Sequence, residues 1–221
     1  MLPSSIIVMR HGDRLDECFP GWASVPHYAP FHSNMPPSLP VARPLSEYAK
    51  DTPLTVNGTE KARAVGEAIA ARGKRPVLFE NPFTYRRTLP PLLNESQRSS
   101  VAPIENSYVP MIPLTEIFGK SQSAYEQGLY DFFARISTAP AVGENILVVG
   151  HASTVDVSIF RLREEPLEYT RSVGDRMTDR IPYCGTVLFH RSSSSSPLLP
   201  SLPPLSPGSF STAITHPLLP S

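Results

Sequence analysis

The stretch Ile6-Ile7-Val8-Met9-Arg10-His11-Gly12 is a short, β-branched apolar run that stops abruptly at a cation, an imidazole and a glycine. A run of this length and composition fits a strand buried on both faces. The same order returns far along the chain, where Ile146-Leu147-Val148-Val149 ends at Gly150-His151-Ala152-Ser153-Thr154. Ser153 or Thr154 then caps a helix carrying Val155, Ile159 and Leu162. Between the two runs, Thr55 caps a helix that extends to about Arg72, with Ala62, Val65 and Ile69 on one face and Gly73 just past its end. Tyr125, Leu129, Phe132, Phe133 and Ile136 fall on one helical face and predict a second helix over Ser121 to Thr138. A third strand is expected at Tyr183 to His190. Strands alternating with helices predict an α/β domain with a mainly parallel sheet, whose ligands sit at the carboxyl ends of the strands.

Outside these elements the chain is irregular. Proline accounts for 26 of the 221 residues. From about Asp16 to Asp51 prolines alternate with Phe19, Trp22, Tyr28 and Phe31, which fits an ordered lid or insertion better than a linker, because linkers seldom carry so many large rings. Those rings either line a substrate pocket or pack as a core. Residues 192–221 hold 10 Ser and 7 Pro and no Asp, Glu, Lys or Arg, so one domain over 1–191 and a disordered tail over 192–221 are expected.

The totals exclude several classes of function. Twenty Lys and Arg balance twenty Asp and Glu, so no broad positive field is available to draw in nucleic acid or anionic lipid. The longest apolar runs, four or five residues, are far short of the roughly 18 needed to span a bilayer. Only Cys18 and Cys184 are present, which points to a reducing, cytoplasmic setting, and nothing marks Cys18 as reactive.

His11 and His151 each follow a short apolar strand, so an open sheet would project both at one edge. Taken alone, either reads as a hydrogen-bonded structural residue. Together, with Arg10 and Arg14 beside the first, they suggest phosphoryl chemistry. Guanidinium forks match phosphate oxygens, and nearby positive charge disfavours protonation of His11 and keeps a lone pair on its ring. That is what a nucleophile toward phosphorus requires, while His151 would donate to an oxygen of the transferring group. His11, Asp13, Asp16 and Glu17 also offer metal ligands close in sequence, but Arg10 and Arg14 would repel a cation there, so no metal and no cofactor are expected.

At this point the motifs carry a resemblance. Arg10-His11-Gly12-Asp13-Arg14, Pro53-Leu54-Thr55 with Gly58, and Gly150-His151-Ala152-Ser153 resemble the histidine phosphatase superfamily, also called phosphoglycerate-mutase-like. Trp22, Tyr28, Asn34-Met35-Pro36, Leu39-Pro40, Tyr108-Val109-Pro110 and Ile181-Pro182-Tyr183 are similar to its branch of ubiquitin-associated and SH3-domain-containing proteins and ecdysteroid-phosphate phosphatases. The resemblance covers about residues 5–75 and 108–185. It implies a three-layer α/β/α fold and metal-independent, cytosolic hydrolysis of a phosphomonoester. The implied substrate is a phosphoprotein, such as a phosphotyrosine protein, or a phosphorylated small molecule. His11 would form a phosphohistidine, and Arg10, Arg14 and His151 would bind the phosphoryl group.

Two departures qualify the match. The family usually has Glu where this chain has Asp13, a shorter group for orienting the arginines. Only 34 residues separate Gly73 from Tyr108, about half what the resemblance implies. The family's further pocket arginine and its general acid belong to that region, together with a strand and a crossover helix, so the sheet is expected to lack a strand and a helix there. The nearest candidates for the lost groups are Arg86 or Arg87 and the carboxylates Glu80, Glu95, Glu105 and Glu116. Three expectations therefore stand: a working phosphatase, a pseudophosphatase that binds phosphorylated ligands without turnover, and an inactive truncated variant.

Overall fold

Six residues, Ser5–Arg10, form β1, and all six are buried because layers cover both sides of the strand. The computed structural model of the protein describes residues 4–48, 51–71, 77–80, 121–138, 145–167, 180–193 and 196–201. β1 is followed by a single turn, α1 (Leu15–Cys18), then α2 (Leu45–Tyr48), α3 (Val56–Ala71), β2 (Val77–Glu80), α4 (Gln122–Thr138), β3 (Asn145–Gly150), α5 (Ala152–Leu162), β4 (Thr186–His190) and β5 (Leu199–Ser201). The strands form one sheet in the order β2-β3-β1-β4-β5. β3 runs parallel to both β1 and β2, whereas β4 is antiparallel to β1 and β5.

Alternation of side chains along the strands divides the core in two. Ile6 and Val8 of β1, Ile146 and Val148 of β3, and Val187 and Phe189 of β4 face α4 and α5, meeting Leu129, Phe133, Ile136, Val155 and Ile159. Ile7 and Met9 face the other way, where Val65 and Ile69 of α3 cover them together with Leu147, Val149 and Leu188. Two helical layers around a sheet make a three-layer α/β/α domain, with the parallel part at β2-β3-β1. Each fully buried Leu, Ile or Phe adds about 1.5–3 kcal/mol, so the thick α4/α5 side contributes most.

Four expectations change in the details. The stretch 183–190 is extended only from Thr186, because Cys184 takes a left-handed conformation with φ of 59° and turns the chain into the sheet. α5 is capped by His151, not by Ser153 or Thr154. The shortened middle retains a strand: the backbone of Val77–Glu80 pairs in register with Ile146 to Val149 and completes the parallel edge. The expectation of a missing crossover helix concerns residues outside those described. Order also continues past Arg191. Leu199, Pro200 and Ser201 pair with β4, and Leu198 is buried in the main core. Proline is tolerated in such a strand at the sheet's margin. Arg191 holds this exit, its Nη2 donating to Ser137 O at 2.9 Å at the end of α4. Residues 194–195 and 202–221 lie outside the described residues.

The proline-rich stretch after α1 is built around its own aromatic core. Leu15, Trp22, Met35 and Tyr48 are buried together, with Tyr28 and Phe19 against them. Trp22 lies edge-on to both Tyr28 and Tyr48, and the Tyr48 hydroxyl accepts from the Val41 amide at 2.9 Å. Trp22 and Tyr28 therefore pack as core, while Phe31 remains exposed against Phe19. Asn34 ties this insertion to α3: its carbonyl and side-chain oxygens accept from the Val56 and Asn57 amides, 3.0 and 2.9 Å away. Among the described residues no helix is long and apolar enough to cross a membrane.

Candidate active site

The parallel register is what creates the site. Arg10 stands opposite Gly150, so the next residues, His11 and His151, leave adjacent strands at the same edge. Their ring centroids lie 5.0 Å apart, edge to face. The His11 amide donates to Gly150 O at 2.8 Å, which carries the sheet pairing one residue beyond the strand and fixes the turn.

His11 is half-buried, and its Nδ1 lies 2.7 Å from Gly12 O. A carbonyl oxygen can only accept, so Nδ1 carries the proton and, in the neutral ring, the lone pair is on Nε2. Burial is the main influence holding the imidazole below its usual pKa of 6.5, with the Arg14 and Arg10 charges adding to it and the Gly12 bond opposing. The ring is thus biased toward the neutral, nucleophilic form.

Two glycines let the backbone close around it. A Cβ on Gly12 would lie 2.6 Å from Gly58 O, and one on Gly58 would strike the Asp13 backbone. The His11 turn therefore rests directly on the first turn of α3. Thr55 completes the joint: its amide donates to Asp13 O at 2.9 Å, and its Oγ1 accepts from the Gly58 amide at 2.9 Å. The side chain of Asp13 accepts from Lys61 Nζ at 2.9 Å and so ties the turn to a lysine of α3.

Arg10 is 5% exposed, and burial lowers the pKa of its guanidinium. Its Nη1 donates to Ile181 O at 2.7 Å, and its Cζ sits 3.8 Å from the centroid of the Tyr183 ring. Arg14 pairs with Asp16 through both Nε and Nη2, at 3.0 and 2.9 Å, and reaches Glu17 at 3.2 Å. Asp13, Asp16 and Glu17 are thus paired with cations, and among the described residues no three His, Cys, Asp or Glu groups gather to hold a metal.

His151 differs from His11: it is exposed and stands at the N-cap of α5. Its amide donates to Thr154 Oγ1 at 3.0 Å, and Gly150 leaves room for Thr154, whose Oγ1 would lie 2.5 Å from any Cβ added there. Ser153 belongs to the packing, its hydroxyl 3.0 Å from the Tyr125 hydroxyl of α4.

Of the residues expected from the sequence, His11, His151 and Arg10 converge, and Arg14 lies in the same turn with its fork engaged by carboxylates. Arg86, Arg87, Glu95, Glu105 and Glu116 lie outside the described residues, and Glu80 ends β2 at the same sheet edge as Val149. Sequence reasoning did not assign roles to Tyr183 or Lys61. The Ile181-Pro182-Tyr183 motif marked the first, but nothing in the sequence distinguishes Lys61 from other helix-surface lysines.

Comparison with known proteins agrees with this geometry. No family model matches the chain. It is 26% identical over 225 residues to human ubiquitin-associated and SH3 domain-containing protein B, covering 81% of this chain and 34% of that protein. It is 25% identical over 227 residues to the ecdysteroid-phosphate phosphatase of Drosophila melanogaster, covering 81% and 29%. The chain thus spans about a third of the length of these relatives. A solved structure, the ecdysone phosphate phosphatase from Bombix mori in complex with tungstate, superposes with a TM-score of 0.65 at 17% identity, covering 96% of each chain. With its paired strand-end histidines and this α/β/α sheet, the chain is similar in sequence to ubiquitin-associated and SH3 domain-containing protein B and to ecdysteroid-phosphate phosphatase, and it shares the fold of the ecdysone phosphate phosphatase.

Proposed function

We propose that this chain hydrolyses phosphomonoesters through a phosphohistidine on His11. The observation that carries the reading is the pair of imidazoles at 5.0 Å, with the Nδ1 of His11 on the Gly12 carbonyl. The Nε2 lone pair attacks phosphorus, the P–O bond to the alcohol breaks, and its electron pair leaves on that oxygen, which takes a proton from solvent. Water then attacks phosphorus, the P–N bond breaks, orthophosphate departs and the neutral ring is restored. Arg10, Arg14 and His151 bind the equatorial oxygens, where charge accumulates in a loose transition state. Arg14 turns from Asp16 and Glu17 to do so. The substrate is a phosphorylated small molecule or a phosphoprotein; a relative named for ecdysteroid phosphate supports the first. The free thiols of Cys18 and Cys184 fit a cytoplasmic setting.

The test is hydrolysis of an aryl phosphate by the purified protein in EDTA, with the His11→Ala variant beside it. EDTA-resistant turnover that vanishes in the variant is expected. Turnover that survives His11→Ala would refute the mechanism, and vanadate binding without turnover would mark a pseudophosphatase.

A further inference from the structure

The turn that leads into β4 grips the nucleophile's strand at four points. The Arg10 amide donates to Gly185 O at 2.9 Å, and the Cys184 amide donates to His11 O at 3.2 Å. Arg10 Nη1 donates to Ile181 O at 2.7 Å, and the Tyr183 ring covers the guanidinium at 3.8 Å. Reaching both partners requires the tight backbone seen here. Cys184 sits at φ of 59°, and Gly185 leaves no room for a Cβ, which would lie 2.7 Å from Pro182 O. The same Tyr183 ring lies 5.7 Å from the His11 ring, tilted by 44°. One aromatic residue therefore touches both the cation and the nucleophile.

We propose that Tyr183 is a positioning residue: its ring fixes the Arg10 guanidinium against the His11 imidazole so that both address one phosphoryl group. The role rests on the phosphatase reading for its substrate, but its physical content is independent of turnover. Arg10 Nη1 is held by the Ile181 carbonyl, and a ring stacked on the face of the guanidinium resists its tilting about that bond. The ring also excludes water from one side of His11, sustaining the burial that keeps the imidazole neutral.

The test compares Tyr183→Phe, which keeps the ring, with Tyr183→Leu, which removes it. Two properties are read by NMR: the His11 imidazole pKa, assigned by its absence in His11→Ala, and the affinity for inorganic phosphate. Tyr183→Leu is expected to raise the pKa toward 6.5 and weaken phosphate binding about tenfold, a fold-change within the range of one desolvated cation–π contact. Tyr183→Phe should remain within about threefold of the parent on binding, on the same scale. A Leu variant with parental pKa and affinity overturns the proposal, and so does a Phe variant that behaves like Leu. Arg10→Lys, which keeps the charge but loses the flat stacking face, is the second route: adding Tyr183→Leu to it should have little further effect on phosphate affinity. Full additivity of the two changes in phosphate affinity would also overturn the proposal. A parent protein without phosphatase activity would sink the functional reading alone, since the imidazole titration still judges the role of Tyr183.

Discussion

The two histidine turns start from the same position and end differently. Both follow a strand of the same parallel pair, yet the His11 turn is clamped by backbone and the His151 turn by side chains. Gly12 and Gly58 bring two main chains into contact, and Thr55 seals the joint through Asp13 O. At His151 the close neighbour of Gly150 is the side chain of Thr154, which also receives the His151 amide. His11 is half-buried among arginines, whereas His151 is exposed. In the proposed mechanism His11 must meet phosphorus along a defined line with its proton on a known nitrogen, so rigid backbone and burial suit it. A residue that only donates to a phosphoryl oxygen tolerates a more open mount.

The largest expected effect breaks that comparison at its chemical end. His11→Ala should lower kcat by about four orders of magnitude or more, as loss of a nucleophile does, while His151→Ala should cost on the order of a hundredfold, as loss of one oxyanion donor does. Equal losses in steady-state aryl phosphate hydrolysis would erase the division of labour.

Next comes stability. Gly12→Ala should destabilise by about 2–4 kcal/mol, because the new methyl meets a carbonyl of another main-chain segment that has nowhere to go. Gly150→Ala should cost less, about 1–3 kcal/mol. Its loss should be partly relieved in a Gly150→Ala/Thr154→Ala double variant, whose effect falls below the sum of the single ones. Urea titration of the parent, the three single variants and the double variant checks both statements, and an additive Gly150/Thr154 pair would remove the distinction between the clamps.

The pH profile sharpens the electrostatic side. On the proposed mechanism the neutral form of His11 is the active one, and its pKa is held below 6.5, so kcat/KM should fall only as pH drops through that lowered value. The acid limb should therefore lie under 6.5. Arg14→Gln removes one of the charges that depress the pKa and should move the limb upward, visible in kcat/KM against pH even though activity also declines. The sign for stability is the same: the unfolded chain takes up the proton first, so this contribution to folding is lost as pH falls below 6.5.

The smallest effect belongs to Lys61. Its ion pair with Asp13 is 2.9 Å long, between side chains 26% and 13% exposed. Lys61→Met should cost about 0.5–1 kcal/mol in thermal unfolding and leave the acid limb in place.

Much of the fold is visible in local patterns. Tyr125, Leu129, Phe132, Phe133 and Ile136 repeat at helical spacing, and all five are buried on α4. The apolar runs ending at Arg10 and Gly150 are strands, and the histidines after them meet. Patterns fail where a neighbour far away in sequence supplies the reason for a structure. Leu199, Pro200 and Ser201 look like a solvated Ser/Pro segment, but the open side of β4 and the buried site for Leu198 draw them into the sheet. His151 caps α5 although Ser153 and Thr154 are the better caps by type, because the register with β1 ends the strand at Gly150.

Amino-acid order alone therefore established the α/β class, the two strand-end histidines with their arginines, and the helices that cover the sheet. Each follows from burial repeating with the period of a local element. The contact of His11 with His151 depends on the pairing of Ser5 with Asn145, 140 residues apart. Engagement of Arg14 by Asp16, the stacking of Tyr183 on Arg10 and the tie between Lys61 and Asp13 likewise depend on side-chain geometry that no local period encodes. Those were decided when strands and turns from distant parts of the chain packed at one edge, where polar groups lost water and most took partners from the protein.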